Sequence, residues 1–468
     1  MFSHGIMPPL MFAGMICFMV IGFPVAFSLG AVGLFFGLVG ILTGHFDALF
    51  LQALPLRIYG IISNDLLLAI PFFTFMGALL ERCGLAEDLL EGTGQLFGPI
   101  PGGLAVAVIL VGAVLGAITG TVAASVIAMG VISLPVMMRY GYDMKLTTGV
   151  IAASGTITQL IPPSLVLVVL ADQLGKSVGD MYLGAIGPSI LQVTIFLAYV
   201  AVLAILRPNS MPPIPPEARQ PFGWPLLRRV LWGMIPSIVL IFLVLGTIFF
   251  GLATPTEAGA LGAVGAIGLA ALHRRLTWNL VRQAMSSTMT LTSMVVFILI
   301  GSTVFSLVFQ GMDGGRWIEH MLSGLPGGQV GFLIFVNIFI FFLAFFLDFF
   351  EIAFIVIPLL APVAAKLGID LIWFGVLLCV NMQTSFMHPP FGFALFYLRG
   401  IAPPQVKSSD IYWGAVPWVV MQLILVIIVI AWPGSVTYWL DHGPKVDPNS
   451  IKIEIPLGGG DAPPPLKF

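Results

Sequence analysis

The sequence contains few charged residues. Asp, Glu, Lys and Arg make up 9% of the 468 residues, whereas hydrophobic residues make up 59%. Soluble domains carry about 25% charged residues, so this composition excludes a soluble globular protein. At roughly 20 apolar residues per crossing, the apolar stretches provide for about ten membrane spans. The composition therefore predicts an all-α polytopic membrane protein.

Cysteines and reactive motifs are also scarce. Cys17, Cys83 and Cys379 lie far apart, in or beside apolar segments, which argues against a disulfide framework or a zinc site. The net charge of −2 provides no basic surface for nucleic acid. No H-E-x-x-H or G-x-S-x-G motif occurs. An intramembrane enzyme or a sensor would need a reactive constellation that the sequence lacks, and no cofactor is predicted.

What the sequence does contain is a motif that occurs twice, with the copies 227 residues apart. Apolar blocks upstream recur too, such as PVAFSLGAVG from Pro24 and PTEAGALGAVG from Pro255. Two halves with matching broken hydrophobic segments are typical of secondary transporters. The motif residues are Pro135, Gly141, Asp143, Pro162 and Pro163 in the first copy, and Pro362, Gly368, Asp370, Pro389 and Pro390 in the second.

The repeat divides the chain into domains. Residues 1–206 form the first repeat and 230–433 the second; a Pro- and Arg-rich linker at 207–229 joins them, and a polar tail follows at 434–468. No Lys or Arg precedes the first apolar stretch and no small-residue cleavage site stands out, so we expect a retained span there.

The charge distribution predicts that the two halves are inverted in the membrane. The linker and the loop 273–282 are rich in arginine, and cytoplasmic loops carry an excess of Lys and Arg. The repeat-equivalent loop at about 43–52 has neither residue. Equivalent loops would then lie on opposite sides, which an odd number of crossings per half produces.

Each half is predicted to contain a re-entrant hairpin. Residues 97–138 have no charge, are too long for one span and are interrupted by Thr119-Gly120-Thr121. In the second hairpin, at about 329–365, Asp348 and Glu351 lie at the equivalent position. An ionisable residue inside the membrane costs at least ~2.5 kcal/mol, which favours a functional role. The alternatives are two closely packed small-residue helices for the first hairpin and a solvated loop for the second.

A broken helix is predicted after each hairpin, at about 146–171 and 371–398, because a Pro-Pro pair interrupts each segment. A hairpin tip opposed by a broken helix makes a clamp for a hard cation such as sodium, with the substrate between two clamps. His388 is either a proton or substrate contact or a hydrogen-bonded structural residue. Arg399 is either a substrate contact or an interfacial arginine. The predicted sodium ligands are Thr119, Gly120, Thr121, Ser125, Ser154, Asp348, Asn381 and Thr384, and the predicted substrate contacts are Thr156, Pro162, Pro163, Ser164, Ser385, Pro389, Pro390 and Arg399.

These residues resemble a known family. GAITGTVAAS (116–125), GYD (141–143), SGTITQLIPPS (154–164), TPTEAGA (254–260), Leu347-Asp348, LGID (367–370) and HPPFGFALF (388–396) are similar to the large membrane subunit (DctM type) of tripartite ATP-independent periplasmic (TRAP) transporters. DFFEIAF (348–354) and FALFYLRG (393–400) look like the subfamily loosely labelled mannitol/chloroaromatic. The family's tip is often Ser-Gly-Ser, and the residue at His388 is often Thr.

The resemblance implies a bacterial inner-membrane transporter of elevator type, driven by a sodium gradient. A periplasmic binding protein would deliver a carboxylate substrate, and a small four-span membrane subunit would support the scaffold. A competing hypothesis is a stand-alone sodium/divalent-anion symporter that needs no binding protein. Uptake without a binding protein would favour this second hypothesis.

Overall fold

The computed structural model describes residues 6–345, 347–390 and 392–440. Every regular element within these residues is helical. In the described part of the chain, eight helices are long and apolar enough to cross a membrane, or nine if one bent pair counts as a single span. The prediction of an all-α polytopic membrane fold is therefore confirmed. Most of the predicted tail, from residue 441 onward, lies outside the described residues.

The helices of the first half follow one another with short connections. The linker that comes after them contains two single 3₁₀ turns, at Pro208–Ser210 and Pro216–Ala218. The helices are α1 (Met7–Ile21), α2 (Val25–Thr43), α3 (Leu54–Ile62), α4 (Ala69–Arg82), α5 (Leu85–Phe97), α6 (Gly103–Thr119), α7 (Val122–Arg139), α8 (Met144–Thr156), α9 (Leu165–Leu174) and α10 (Val178–Leu206).

The second half repeats this order, with one long helix in place of α3 and α4. A π-helical stretch, Ile352–Val356, separates α16 from α17. The helices are α11 (Trp224–Phe249), α12 (Pro255–Leu272), α13 (Trp278–Gly311), α14 (Gly314–Ser323), α15 (Gly328–Leu343), α16 (Phe349–Glu351), α17 (Ile357–Lys366), α18 (Leu371–Met382), α19 (Phe393–Ile401), α20 (Ser408–Ala431) and the short α21 (Gly434–Thr437).

Equivalent loops of the two halves lie at opposite ends of α13. This helix has 34 residues, about 50 Å at 1.5 Å per residue. Beside its start, Arg275 from the loop after α12 donates to the carbonyl of Cys83 at 2.6 Å. At its far end Phe46, from the loop after α2, lies against Gly311. Because α2 and α12 are repeat-equivalent, this is the geometry that inverted repeats require.

The helices pack in two groups, which are in contact where α4 of one lies against α6 of the other. In one group, α2 packs on α13, and α4 packs on α12 and α13. The other group contains the hairpins, the broken helices, α10 and α20, with α8 packed against α6, α7 and α20. Ten crossings result when α1, the bent α3–α4 pair and the two broken helices count as spans and the hairpin limbs do not.

The broken helices change conformation just before each Pro-Pro pair. The α-helix α8 continues into a 3₁₀ turn at Ile157–Gln159, and α18 continues into one at Gln383–Phe386. The Pro162-Pro163 and Pro389-Pro390 peptide bonds that follow are both cis. After the prolines the chain re-enters the helices α9 and α19.

Candidate functional site

The tip of the first hairpin is a two-residue turn. Gly120 ends α6 with a φ of +64°, a left-handed conformation that suits glycine because it has no Cβ. Thr121 is extended and precedes α7, and no side chain caps this helix start. Ser125 is fully buried one turn further on. The side chain of Thr119 lies outside the described part of the structure.

Glycines let the first hairpin lie directly on the backbone of the first broken helix. A Cβ added at Gly112 would come within 2.6 Å of the Ser154 side chain. One added at Gly116 would come within 2.9 Å of the Thr158 Cα atom. Gly155 lies equally close to Val126 at the start of α7. The structure therefore brings the predicted tip residues and the predicted break residues together; we call this assembly the first clamp.

The hydroxyl groups of the break residues donate their protons back to their own helix. Ser154 Oγ donates to the carbonyl of Ile151 at 2.8 Å, and Thr156 Oγ1 donates to that of Ala153 at 2.9 Å. Thr384 and Ser385 do the same in the second break, at 2.7 and 2.6 Å. A hydroxyl whose proton is engaged in this way offers only oxygen lone pairs to its surroundings. Such an oxygen is a suitable ligand for a hard cation.

Ser164 caps α9 and closes the first break. Its Oγ accepts from the backbone N–H of Val166 at 3.2 Å and donates to the carbonyl of Gln159 at 2.5 Å. Pro162 and Pro163 beside it are buried, whereas Pro390 of the second break is exposed. The structure thus gives Ser164 a capping role, in addition to the substrate contact predicted for it.

The two carboxylates of the second hairpin form a capping box at its second limb. Asp348 Oδ1 accepts from the backbone N–H of Glu351 at 3.0 Å, and Glu351 Oε2 accepts from that of Asp348 at 2.9 Å. The sequence signal is the D-x-x-E spacing, which is typical of a helix start; the predicted roles were a sodium ligand for Asp348 and none for Glu351. The carboxylate of Asp348 also accepts from the backbone N–H of Phe350, and its remaining lone pairs are available for a further contact.

Two asparagines join the second hairpin to the second broken helix. Asn381 Nδ2 donates to the backbone carbonyl of Asn337 at 2.8 Å and to its Oδ1 at 3.0 Å. Both residues are buried. By the repeat, Asn381 corresponds to Ser154 and Asn337 to Gly112. Sequence reasoning missed Asn337 because its equivalent in the first half, Gly112, has no polar side chain. We call the assembly of hairpin tip and broken helix in this half the second clamp.

His388 is enclosed by aromatic rings of the second hairpin. Its ring centroid lies 4.3 Å from that of Phe341 and 4.2 Å from that of Phe345. It is 1% exposed, and within the described chain neither ring nitrogen has a hydrogen-bond partner. A structural histidine held by hydrogen bonds, one of the two roles predicted for His388, does not match this geometry.

Arg399 lies apart from the other predicted residues. It is in the last turn of α19, and its Nη1 donates to the carbonyl of Val406 at 2.5 Å. The residue is exposed. The structure does not bring its guanidinium group to the Pro-Pro break.

Two helix starts that carry no side-chain cap converge in this region. Neither α7 nor α19 has one, and the two helices pack together. The helix α7 leads into α8, and α19 leads into α20. The starts of α8 and α20 meet where Thr148 Oγ1 donates to the carbonyl of Asp410 at 3.1 Å, so α7 and α19 run in the same direction. Gly130, eight residues after the first residue of α7, lies against Ile401, eight residues after the first residue of α19. The uncapped starts of these parallel helices therefore lie at the same depth in the protein.

The fold and this paired arrangement can be compared with known proteins. A family model described as "Tripartite ATP-independent periplasmic transporter, DctM component" matches residues 12–435. The chain belongs to this family. The predicted family is thus confirmed, while the narrower subfamily resemblance stays a prediction. Members are transporter permeases, so the prediction that the protein is not an enzyme is confirmed, and a location in the bacterial inner membrane fits this DctM family.

Individual relatives agree with the family. The C4-dicarboxylate TRAP transporter large permease protein DctM of Vibrio cholerae is 30% identical and covers 93% of this chain and 98% of its own length. The isethionate TRAP transporter permease protein DctMQ of Oleidesulfovibrio alaskensis is 26% identical over 90% of this chain, which spans 64% of that protein. The crystal structure of the Alcanivorax borkumensis YdaH transporter matches with a TM-score of 0.62 over 91% of this chain and 98% of that one; at 14% identity it shows the fold alone.

Proposed function

We propose that this DctM-family protein imports an organic acid by sodium-coupled elevator transport, with substrate delivered by a periplasmic binding protein. The observation that carries the proposal is the pairing of each hairpin tip with a broken helix, because this pairing makes two clamps in one domain. The sodium ligands predicted from the sequence lie in these clamps, except Thr119, whose side chain is not described.

The helix ends explain how one site serves both a cation and an anion. The carboxyl ends of α6 and α8 meet at the first clamp, and those of α15 and α18 meet at the second. A helix carries about half a negative charge at this end, which favours sodium. The starts of α7 and α19 carry the opposite partial charge and lack a capping side chain. We assign the substrate carboxylate to these two starts, beside Thr121 and His388.

The substrate class follows from the relatives. Their names specify C4-dicarboxylates and isethionate, which are small organic anions. This chain would take a small carboxylate by the same chemistry, since uncapped N–H groups bind any compact anion. The proposed partners are a periplasmic binding protein and a small four-span membrane subunit; the name DctMQ of one relative, which is longer than this chain, fits a fusion with the latter.

The elevator mechanism is supported by the two helix groups. The hairpins and broken helices would move as one body against α2, α4, α12 and α13. One contact between the groups is a hydrogen bond from Ser302 Oγ on α13 to the carbonyl of Phe354, at 2.7 Å. Phe354 lies in the π-helical stretch, and such stretches are frequent at functional sites.

Reconstitution tests this proposal. The ligand that copurifies with the partner binding protein would be identified by mass spectrometry and then supplied in radiolabelled form. Proteoliposomes with this chain, the small subunit and the loaded binding protein should accumulate label only with an inward sodium gradient. Equal uptake in choline chloride would exclude sodium coupling. Equal uptake of free ligand without the binding protein would instead establish a stand-alone symporter.

A further inference from the structure

Two glutamines occupy equivalent places in the last helix of each half. Gln192 lies on α10 and Gln422 on α20, and both the helix starts and the glutamines are 230 residues apart. Each is at most 1% exposed. Burying an amide in an apolar helix bundle costs about 1–3 kcal/mol unless it is hydrogen-bonded. A matched pair of buried glutamines therefore calls for a common explanation.

Each glutamine reaches the broken helix of the other half. Gln192 Nε2 donates to Gln383 Oε1 at 2.5 Å. Gln422 Nε2 donates to Thr156 Oγ1 at 3.0 Å. The two acceptors are themselves repeat-equivalent, 227 residues apart. The contacts thus form a crossed pair that obeys the internal symmetry of the protein.

The acceptors lie where each broken helix changes conformation. Thr156 is the last residue of α8, and Gln383 is the first residue of the 3₁₀ turn that follows α18. Thr156 is next to Gly155, which touches the start of α7 beneath the tip of the first hairpin. Gln383 is two residues from Asn381, which binds the second hairpin through Asn337. Each glutamine therefore holds one clamp at its hinge.

The glutamines have one polar atom left over, and it is the same atom in both. After Nε2 has donated, Oε1 of Gln192 and Oε1 of Gln422 have no partner among the described residues. Both oxygens are buried. An amide oxygen without a partner is costly, yet amide and carbonyl oxygens are ligands that hard cations prefer. Its recurrence at two symmetric positions points to a bound cation.

We propose that Gln192 and Gln422 are the cross-repeat members of the two sodium clamps. Gln422 of the second half serves the first clamp, and Gln192 of the first half serves the second. Each fixes the hinge of the opposite broken helix through Nε2 and offers Oε1 to the ion. This inference rests on the proposed sodium coupling. It implies that neither repeat builds a complete ion site from its own residues.

The test is sodium-dependent thermal stabilisation of the purified full chain, with sodium chloride titrated against choline chloride at constant ionic strength. Gln192→Leu and Gln422→Leu remove the amide but keep most of the volume. Each should raise the sodium concentration for half-maximal stabilisation about tenfold, which corresponds to about 1.4 kcal/mol. Thr194→Val is the matched control, because Thr194 is exposed on α10 and donates only to its own helix. It should leave the midpoint unchanged.

Three results separate the possibilities. A shifted sodium midpoint in both glutamine variants, with the control unchanged, supports the proposal. A lower melting temperature in choline with an unshifted sodium midpoint overturns it, because this is what a purely structural glutamine would give. No sodium effect on the unsubstituted protein overturns sodium coupling and this inference with it. Should a leucine variant fail to fold, Gln192→Asn or Gln422→Asn retracts the amide by one methylene. Either asparagine variant should raise the sodium concentration for half-maximal stabilisation by as much as the leucine variant.

Discussion

Two pairs of helix starts meet at the centre of this protein, and they differ in how they are capped. The pair formed by α7 and α19 has no side-chain cap. The pair formed by α9 and the second limb of the second hairpin is capped by Ser164 and Asp348. Each pair takes one helix from each half, so the repeat alone would make them alike. Under the proposed function the uncapped pair would take the substrate anion, whereas the other pair is already capped by the protein.

The two hairpins differ in the capping of their second limbs, and they differ also in how each lies on its broken helix. The first hairpin is in backbone contact through Gly112 and Gly116. The second places Asn337 at the position equivalent to Gly112 and is joined through hydrogen bonds to Asn381. A glycine contact has no room for an added atom, whereas a hydrogen-bonded contact can lose an atom and persist. The first clamp should therefore be the more sensitive to added volume.

The largest effect is expected from Gly116→Ala. The new Cβ would lie 2.9 Å from the Thr158 Cα atom and would push the hairpin off the broken helix. A displacement of this kind at a binding site costs about 100-fold in rate, and we expect a loss of this size in sodium-driven uptake by proteoliposomes. Gly268→Ala, on α12 with no atom near the new Cβ, is the control. Equal uptake by both variants would show that the close packing is dispensable.

The next largest effect is expected from Thr121→Asp, which supplies the cap that α7 lacks. A carboxylate at this helix start would compete with the substrate for the same N–H groups. At up to about 2 kcal/mol for a charge at a helix start, the substrate concentration for half-maximal uptake should rise about thirtyfold. Thr121→Asn caps without charge and should have a smaller effect. An unchanged half-saturation in Thr121→Asp would remove α7 from the substrate site.

A substitution at the capped pair should act on sodium instead. Asp348→Ala removes both the cap, worth about 1 kcal/mol, and a carboxylate proposed for the ion. We expect sodium-dependent uptake to fall about tenfold, with the amount of protein in the membrane unchanged on immunoblots. Asp348→Asn keeps a capping oxygen and removes the charge. If it behaves as the unsubstituted protein does, the cap explains the whole effect and Asp348 is not a charged ligand.

These comparisons show what the sequence could predict. The Pro-Pro pairs and the interrupted apolar stretches located the breaks and hairpins, because prolines and chain length act locally. Asn337 and the glutamines Gln192 and Gln422 could not be found in this way. Each is one polar residue in a largely apolar helix, and its importance depends on a partner that the chain brings near only on folding. The predicted roles of the sodium and substrate residues stay predictions.

One sequence signal has two physical meanings. The spacing of Asp348 and Glu351 indicates a capping box as directly as it indicates an ion site. The structure shows that the capping role is present, and the comparison of Ala and Asn at position 348 determines whether an ion role exists beside it.

The smallest effect is expected from Ser302→Ala, which concerns a third difference between the hairpins. The second limb of the first hairpin is an unbroken α-helix, whereas that of the second contains the π-helical stretch Ile352–Val356. Ser302 Oγ donates to the Phe354 carbonyl from the other helix group. The loss of one such bond is worth about 1 kcal/mol. It should change the rate of uptake about fivefold while leaving the sodium dependence unaltered.

The control is Thr290→Val, which alters an exposed hydroxyl of the same helix that donates only within it. A shift in sodium dependence in the Ser302 variant would place this contact in the second clamp, and equal rates in both variants would mean that the bond does not hold the two groups together during transport.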